Sequence, residues 1–560
     1  MATEQPARDS SDAITVVSET RHSEKDVQQN PPQKKTLLQR IKTGVLAVGI
    51  VLTMFMVSLN STVVAPAMSK IATELHGLDR QTWIATSYLV AMNSFQPLSG
   101  KFSDIFGRKP VYLFGMFFFF LGSLVNALSP TISGLIAGRT LQGFGAGGIM
   151  SMLFIIITDM APLHFRPRLQ SILVVVYGLA SVVGPLIGGA FVDNLTWRWD
   201  FWLNIILSGV SIVVIFFLFK ETSKVKKESF KAKILRIDFL GTIFSVSFIT
   251  CLLLALTWGP LYGWGNGHSF GPFIAAGVSL ILLIICQGWV SREPILPPKV
   301  MLNPRIVLIY LYMVCLGLGF IGTLYYGPVL YQSVFGADST ASGVRLIPYM
   351  ALLIAGSVGS TILINYIPYV KAFIIFGAAC NVLGYGLFYT VNEHSNWGQQ
   401  ACFLTFCGLA FGLSQQNCIL GVQQIAPPEF IAVATALVNF FMLLATSIGI
   451  AVYQTVFSTF LQAQYKHVDP QILGIAKEYG ALSNYLYIRN MPEDAQGPII
   501  HAYMQALHYV FIIPIVASAI SFICAIFIHN KRFGASAPQK DEEITEDNTQ
   551  VPQAGKVEQN

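Results

Sequence analysis

The stretch Gly100-Lys101-Phe102-Ser103-Asp104-Ile105-Phe106-Gly107-Arg108-Lys109 decides how this chain folds. It places four charges and two glycines between two long apolar segments, at 82–99 and 110–128. Each of these segments has about the 20 residues that a helix needs to cross a bilayer. The charged stretch is therefore expected to be a short loop that turns at a membrane surface between two spanning helices.

The composition of the whole chain predicts a membrane protein. Of the 560 residues, 53% are hydrophobic and only 11% are charged, and the mean hydropathy is +0.58. Soluble domains carry about 25% charged residues. Because backbone groups in hydrocarbon must be hydrogen-bonded within their own segment, the spans are predicted to be helices, which makes the fold an all-α polytopic one.

About fourteen apolar segments along the chain have the length of a membrane span. They lie at roughly 44–68, 82–99, 110–128, 131–153, 169–192, 200–219, 238–258, 270–290, 306–332, 343–365, 370–391, 399–422, 431–459 and 503–529. An even number places both ends of the chain on one side of the membrane. Lysine and arginine collect after the second, fourth, sixth and eighth spans, so these connections and both termini are predicted to be cytoplasmic. The net charge of +6 then reflects topology, and no nucleic-acid partner is expected.

The fourth segment carries an arginine at a depth where charge is costly. Arg139, Gln142, Gly143 and Gly147 follow at spacings of i, i+3, i+4 and i+8, so they share one face of a helix. A guanidinium group in hydrocarbon requires a partner or a watery cavity. A snorkelling or packing arginine is the simpler interpretation, but the neighbouring Gln142 and glycines favour a coupling or substrate site.

The fifth segment contains Gly184-Pro185-Leu186-Ile187-Gly188-Gly189. Its small residues allow close helix approach, and its proline removes a backbone hydrogen bond and bends the helix. The connection that follows contains Asn194-Leu195-Thr196, which matches the acceptor pattern for N-glycosylation and fits an external loop.

Nothing in the sequence indicates catalysis, a cofactor or a metal site. The eight cysteines lie in apolar segments without metal-ligand partners, which is typical of packing residues. The sequence has no serine elbow, no phosphate-cradling loop and no paired intramembrane histidines or carboxylates. The absence of an ATP-binding pattern favours a secondary carrier.

Three ordered motifs resemble the major facilitator superfamily. The loop at 100–109 is similar to the loop between that family's second and third helices, 139–146 resembles its fourth-helix motif, and 184–189 resembles its fifth-helix antiporter motif. Together with Trp197-Arg198-Trp199-Asp200-Phe201 and Leu59-Asn60-Ser61-Thr62-Val63-Val64, they resemble the fourteen-span drug:proton antiporter branch, especially fungal toxin and multidrug efflux pumps. The resemblance covers about residues 40–530.

The resemblance implies two six-helix bundles related by a pseudo-twofold, with two extra central helices set outside them. The expected units are a disordered cytoplasmic tail at 1–42, a first bundle at 43–220, a basic cytoplasmic linker at 221–237, the extra helices at 238–290, a second bundle at 291–530 with an external loop at about 461–502, and a second disordered tail at 531–560.

The resemblance also implies export of amphipathic small molecules by alternating access, coupled to proton antiport. A cytoplasmic latch is expected to comprise Gly100, Asp104, Gly107, Arg108 and Lys109, with the last two holding carboxylates or lipid phosphates. The expected partners are the substrate, protons and membrane lipid. The protein is expected to be a monomer in the plasma membrane, with the vacuolar membrane as the alternative.

One departure from the family pattern concerns coupling. Asn60 stands where many relatives carry an aspartate, and an amide cannot bind and release a proton. Asp104 and Asp200 are then the candidate proton acceptors, with Arg139 acting on a nearby site. An uptake carrier or facilitator of the same fold, for a siderophore or a nutrient, remains the open alternative.

The candidate substrate pocket consists of polar and aromatic residues within the spans, although each of them can equally join helices. They are Asn60, Tyr88, Asn93, Gln96, Gln142 and Tyr177 in the first half, and Tyr325, Tyr326, Gln332, Gln415, Gln416 and Asn417 in the second. Few fixed charges and many aromatic rings suit large, mostly uncharged amphipathic compounds.

Overall fold

A computed structural model describes residues 37–64, 67–77, 80–161, 165–219, 229–482, 485–530 and 532. Both predicted tails fall largely outside these residues, as does the part of the predicted basic linker at 221–228. Within the described ranges the chain is helical, and its only β-type pairing is an isolated bridge between Tyr369 and Arg532. This agrees with the all-α prediction.

Fourteen long helices account for most of the described chain. They are α1 (Leu37–Val63), α2 (Gln81–Phe106), α3 (Arg108–Leu128), α4 (Ile132–Met160), α5 (Arg166–Asn194), α6 (Trp199–Leu218), α7 (Phe239–Tyr262), α8 (Gly267–Ile285), α9 (Pro304–Ser333), α10 (Ile347–Leu363), α11 (Val370–Phe388), α12 (Trp397–Ile425), α13 (Ile431–Tyr465) and α14 (Glu493–Phe527). Among the described residues, thirteen helices are long and apolar enough to cross a bilayer. The remaining one is α2, whose 26 residues include Asn93, Gln96, Lys101 and Asp104.

Several helices begin where a short polar side chain satisfies a free backbone N–H group. The side chains of Thr131, Asp238, Asn303 and Asn396 accept such bonds at the first turns of α4, α7, α9 and α12. Caps of this type contribute about 1 kcal/mol each. They define where these four helices start.

The two halves of the molecule repeat the same packing pattern. In the first half α4 packs against α2 and α3, α1 against α5 and α6, and α3 against α6. In the second half α12 packs against α10 and α11, α9 against α13 and α14, and α11 against α14. Each helix of the first half thus corresponds to the helix eight places later, as a pseudo-twofold requires.

Glycines at equivalent positions in the two halves make equivalent contacts. A Cβ atom on Gly143 would meet the backbone carbonyl of Tyr88, and one on Gly408 would meet the carbonyl of Tyr349. Helices in a bilayer gain little hydrophobic free energy by associating. Close van der Waals contact between their backbones at small residues stabilises the association instead. The contact between α2 and α4 therefore recurs between α10 and α12.

The halves meet along two seams, where α2 packs against α13 and α5 packs against α10. The extra pair lies outside this arrangement, because α7 packs against both α2 and α13 while α8 packs mainly against α7. Trp83 of α2 contacts Trp258 of α7 edge to face, with ring centroids 5.8 Å apart, and Ser94 lies 3.3 Å from Thr250 between their hydroxyl oxygens. Helix α7 therefore follows α2 along much of its length.

The connection between α13 and α14 has structure of its own. It contains a short α-helix at Pro470–Glu478 and a 3-10 turn at Tyr485–Asn490. The sequence pattern predicts one surface helix around 472–487, and the structure places the regular helix at the first part of that range. Arg489 secures the turn by donating to the carbonyl oxygen of Val334 at 2.7 Å.

Candidate functional site

The side chain of Arg139 lies at the centre of a buried polar cluster in the first half. It is 2% exposed, and its guanidinium carbon lies 4.4 Å from the ring centroid of Tyr88. Its Nε donates to the carbonyl oxygen of Ile84 at 2.9 Å. Its Nη1 donates to Gln142 Oε1 at 2.9 Å and to Asn60 Oδ1 at 3.2 Å. Helices α1 and α2 thus contribute to the cluster together with α4, and Arg139 contacts both Asn60 and Gln142, which are predicted for the same site.

Helices α3 and α6 complete this cluster. Gln142 Nε2 donates to Ser123 Oγ at 2.8 Å, and Asn126 Nδ2 donates to Gln142 Oε1 at 3.2 Å. Asn204 Nδ2 donates to Asn60 Oδ1 at 3.0 Å. The amide of Asn60 therefore connects the arginine of α4 with the start of α6.

Asp200 belongs to the same region. Its side chain is 0% exposed, and neither carboxyl oxygen has a hydrogen-bond partner among the residues that the structure describes. Asp200 lies close enough to Arg139 for the two side chains to interact electrostatically. The structure therefore brings together the four residues predicted for coupling, namely Asn60, Arg139, Gln142 and Asp200.

The predicted loop at 100–109 is helical except at Gly107, because α2 continues to Phe106 and α3 begins at Arg108. These residues form a compact ionic cluster around Arg108. Its Nε donates to Asp159 Oδ2 at 2.7 Å, while its Nη1 donates to Asp104 Oδ1 and Ser103 Oγ, both at 2.6 Å. One planar guanidinium group therefore joins the end of α2 to the end of α4. The α2 helix ends at Gly107, whose φ of 101° strongly favours glycine.

The other residues predicted for the latch contact neighbouring helices. Gly100 faces the first turns of α13, where an added Cβ would lie 3.2 Å from the Cα atom of Val433. Lys109 Nζ donates to the carbonyl oxygen of Phe216 near the end of α6, at 2.7 Å. Lys109 thus contacts the carbonyl end of a neighbouring helix, where a cation is favourable.

A second ionic cluster connects the end of α2 to the extra helices. Lys101 Nζ lies 2.7 Å from Glu293 Oε2, and Arg236 Nε lies 2.9 Å from Glu293 Oε1. Burial raises the pKa of the Glu293 carboxyl group, but the hydrogen bonds from Arg236 and Lys101 outweigh it and hold this pKa below its usual range. The segments that flank α7 and α8 are therefore bound to the end of α2.

Several polar contacts between the halves lie at the same end of the helices as the Arg108 cluster. Gln423 near the end of α12 donates to Thr158 Oγ1 near the end of α4, at 2.8 Å. Thr361 Oγ1 near the end of α10 donates to the carbonyl oxygen of Pro167 at the start of α5, at 3.3 Å. Together with the contact of Gly100 on α13, these bonds hold the two halves together at this end.

The predicted bend motif packs α5 against α1. Added Cβ atoms on Gly184 and Gly188 would meet Thr62 and the carbonyl of Val63, respectively. A Cβ atom on Gly189 would have no atom within 4 Å, so this glycine does not take part in the contact. Pro185 lies inside α5. Asn194 is exposed at the end of α5 and donates to the carbonyl oxygen of Ala190.

The candidate pocket residues divide into two groups. Several join helices: Asn93 bonds Ser447 across the halves at 3.0 Å, and Gln416 bonds Ser357, Ser360 and Thr361. Others have free capacity, because both side-chain polar atoms of Gln96 and of Gln415 are buried without partners. The rings of Tyr177 and Phe320 approach to 6.0 Å between centroids and connect α5 with α9.

The described residues include no group of three or more histidine, cysteine, aspartate or glutamate side chains that could hold a metal ion. All eight cysteines are free.

Four residues that contact the predicted site residues are not predicted from the sequence. They are Asp159, Asn204, Arg236 and Glu293. Asn204 follows Asp200 at i+4 on one helix face, a signal that was available, whereas Glu293 and Arg236 reach Lys101 only through tertiary packing.

Comparisons with known proteins agree with this architecture. Residues 50–450 match the family model described as Major Facilitator Superfamily. The chain is 33% identical to the MFS-type transporter ptmT of Penicillium ochrochloron over 89% of this chain and 87% of that protein. It is 32% identical to the efflux pump bfoC of Aspergillus brasiliensis (92% and 94%) and 30% identical to the efflux pump roqT of Penicillium rubens (87% and 90%).

Solved structures are similar in fold at low sequence identity. The human organic anion transporter MFSD10 superposes with a TM-score of 0.55 at 15% identity, over 87% of this chain and all of that chain. The proton:xylose symporter XylE gives a TM-score of 0.54 at 14% identity, over 88% of this chain and 97% of that one.

Proposed function

This chain belongs to the major facilitator superfamily, and from that premise we propose that it exports amphipathic small molecules by proton-driven alternating access. It is a multi-pass membrane transporter and not an enzyme. The proposed direction is supported by relatives named as efflux pumps at about 30% identity along nearly the whole chain. The observation that carries the proposed coupling is the buried cluster of Asn60, Arg139, Gln142 and Asp200.

Ionisable groups within a bilayer are costly, so a buried arginine and a buried aspartate are expected to serve transport. Arg139 has defined hydrogen-bond partners on α1 and α2, whereas Asp200 has none. Such a pair can change its charge state as a proton arrives or leaves. This supports proton coupling at the outer part of the first half.

The proposed latch is the ionic cluster of Arg108 with Asp104 and Asp159. It lies beside the seam between α2 and α13, where Gly100 contacts the first turns of α13. When the halves rock apart at this end, Gly100 must leave α13 and the bond between Gln423 and Thr158 must break.

The proposed substrates are large, amphipathic and mostly uncharged. Buried amides with free hydrogen-bonding capacity, such as Gln96 and Gln415, suit neutral polar groups on a ligand. The aromatic contacts of Phe320 with Tyr177 and Phe411 join three helices of both halves and offer flat apolar surface. A toxin, a secondary metabolite or a drug has this chemistry.

The proposed setting is the plasma membrane, with both termini cytoplasmic and the protein acting as a monomer in contact with lipid. The basic connections support this orientation through the positive-inside rule. It places the exposed Asn194 outside, where it can carry a glycan. Removal of N-glycans by an endoglycosidase is expected to increase the electrophoretic mobility of the wild type but not of Asn194→Gln.

Transport by purified protein in liposomes tests the proposal. A panel of uncharged amphipathic aromatic compounds is offered with and without an imposed proton gradient, and with a protonophore. The wild type is expected to move a compound against its concentration gradient only when protons flow the opposite way. Arg139→Ala is expected to abolish this flux, whereas Thr140→Ala, an exposed neighbour on the same helix, is expected to retain it.

Two outcomes would contradict the proposal. Flux that merely equilibrates the compound and ignores the protonophore would exclude antiport and indicate a facilitator. Proton flow in the same direction as the compound would indicate an uptake carrier of the same fold.

A further inference from the structure

We propose that the carboxyl group of Asp200 binds and releases the driving proton, in a site that it shares with Arg139 of α4 and Asn60 of α1. This inference rests on the proposed antiport and identifies the acid that performs it. It also selects between two candidates, because Asp104 is bound to Arg108 at 2.6 Å in the ionic cluster at the other end of α2.

Asp200 is held where a carboxylate lacks both water and donors. It lies in the first turn of α6, is 0% exposed and has no partner for either oxygen. An isolated carboxylate in such surroundings is strongly disfavoured, so the group must either carry a proton or pair with a neighbouring cation. The geometry therefore gives this side chain two acceptable states.

Unpartnered polar atoms surround the same place. Besides the two oxygens of Asp200, the amide oxygen of Asn204 is buried without a hydrogen-bond partner among the described residues. Asn60 and Asn204 are bonded to each other at 3.0 Å, and Asn60 is bonded to Arg139 at 3.2 Å. The region thus holds spare acceptors that can rearrange when the charge of Asp200 changes.

The charged and titratable neighbours of Asp200 are few. Arg139 of α4 and Tyr88 of α2 lie on the inner side, and α1 contributes the uncharged Asn60. Helix α3 contributes Ser123 and Asn126, which bond Gln142, and α5 contributes the apolar Ala180. At the outer end, Glu74 accepts from Trp197 Nε1 at 2.7 Å and Arg198 donates to the carbonyl oxygen of Ser129. Arg139 is therefore the cation that can neutralise an ionised Asp200.

The charged groups around Asp200 favour the binding of a proton over the binding of a metal ion. The guanidinium group of Arg139 is always charged, so it repels a second fixed cation. A proton avoids this conflict, because the protonated carboxyl group is neutral beside the arginine. When the proton leaves, the resulting carboxylate attracts the guanidinium group away from the 3.2 Å bond to Asn60. The loss of a proton thereby changes the contact between α4 and α1.

The outer surface is closed to Asp200 by apolar packing. Trp197 and Phe201 are both 0% exposed, and their rings meet edge to face at 6.1 Å between centroids. Both belong to an apolar cluster that includes Leu59 of α1 and Leu135 of α4. Protons are therefore expected to reach Asp200 from the side of Asn60 and Arg139, where they meet the transported compound.

Infrared difference spectroscopy on the purified full-length protein tests this site with the proton itself as the ligand. Spectra are compared between about pH 5 and about pH 9, where free carboxyl groups of exposed residues are ionised at both values. The wild type is expected to show a protonated-carboxyl band in a dry environment. This band is expected to vanish in Asp200→Asn and to shift in Asp200→Glu. It should persist in Asp338→Asn, a matched change at a helix cap outside the spans.

A transport measurement then assigns the role. With any compound that the wild type accumulates, Asp200→Asn is expected to lose accumulation driven by the gradient while retaining exchange of compound across the membrane without a gradient. Retained accumulation, or a band unchanged in Asp200→Asn, would overturn the inference. The spectroscopic measurement needs no transported compound, so a wild type without flux would contradict the proposed function while the band still decides on Asp200.

Discussion

Lys101 of α2 and Glu293 of the segment after α8 form an ion pair, with 2.7 Å between Nζ and Oε2, across 192 positions of sequence. Arg236, which precedes α7, binds the other oxygen of the same carboxylate at 2.9 Å. Because α7 also packs along α2 and against α13, the extra pair is in contact with both sides of the seam. The two extra helices are thus connected to the end of the carrier that must open.

We expect this ion pair to stabilise the closed end. Glu293→Lys places three cations together and is expected to favour opening by about 1 kcal/mol, or about fivefold. The double change Lys101→Glu with Glu293→Lys restores opposite charges and is expected to recover most of this effect. Hydrogen exchange of residues 100–109, measured by mass spectrometry, reports the opening. Equal exchange in the single and double variants would show that the pair has no such role.

The contribution of Glu293 is also expected to depend on pH. Its folded pKa lies below the ordinary glutamate value, so the stabilisation is present above that value and is lost as pH falls through the folded pKa. The thermal stability of the wild type should exceed that of Glu293→Gln at about pH 7, and the difference should shrink below about pH 4.

Glu429→Gln is the control for this measurement. Glu429 pairs with Lys299 at 3.4 Å, but both side chains are more than half exposed. Such a pair contributes little at any pH. A wild-type advantage over Glu293→Gln that persists unchanged at low pH would contradict the expected coupling.

Arg108→Lys tests the latch. One ammonium group cannot reproduce the planar set of bonds to Ser103, Asp104 and Asp159, so one carboxylate loses its partner. The expected cost is about 1–2 kcal/mol, or roughly tenfold in the equilibrium between closed and open ends. The rate of gradient-driven export is expected to fall, with faster hydrogen exchange at the ends of α2 and α4. Arg292→Lys, an exposed arginine on the same side, should match the wild type in both measurements.

The sequence predicted the fold well because each span is determined locally. Length and apolar character identify a membrane helix, and the periodicity of Arg139 and Gln142 was enough to place both on one face. The same criterion is weakest for α2, whose polar residues serve both the seam and the latch. Sequence reasoning thus works where the bilayer dictates composition and weakens where helices contact each other.

The contacts of the site that the sequence did not predict depend on tertiary packing. Asn60 reaches Asn204 across 144 positions, and Arg108 reaches Asp159 across 51, so no local pattern pairs them. Lys109 is a further case. It binds the carbonyl of Phe216 at 2.7 Å, and Lys371 binds the carbonyl of Ile526 at the same distance in the second half. The sequence did not predict this helix-end contact, which both halves share.

Alanine substitutions at two adjacent glycines of α5 distinguish the effect of helix packing from the effect of helix propensity. A Cβ atom on Gly188 would meet the carbonyl of Val63, whereas one on Gly189 would meet nothing within 4 Å. Gly188→Ala is expected to destabilise the protein by about 1–3 kcal/mol through overpacking. Gly189→Ala is expected to be neutral or to stabilise α5 by about 0.5–1 kcal/mol, because alanine favours the helix. Thermal unfolding of the solubilised variants measures both, and equal behaviour would contradict the packing of α5 on α1.

Asn60→Asp adds a second acid to the buried cluster. Asn60 Oδ1 already accepts from Arg139 at 3.2 Å, so an aspartate there can form a charged pair with the guanidinium group. This pair removes the cation that an ionised Asp200 needs, and the variant is therefore expected to retain a proton on Asp200 at higher pH. Gradient-driven export should show a pH optimum shifted upward relative to the wild type, whereas Asn194→Asp, an exposed change on α5, should leave it in place. An unshifted optimum in Asn60→Asp would show that Asn60 and Asp200 do not compete for Arg139.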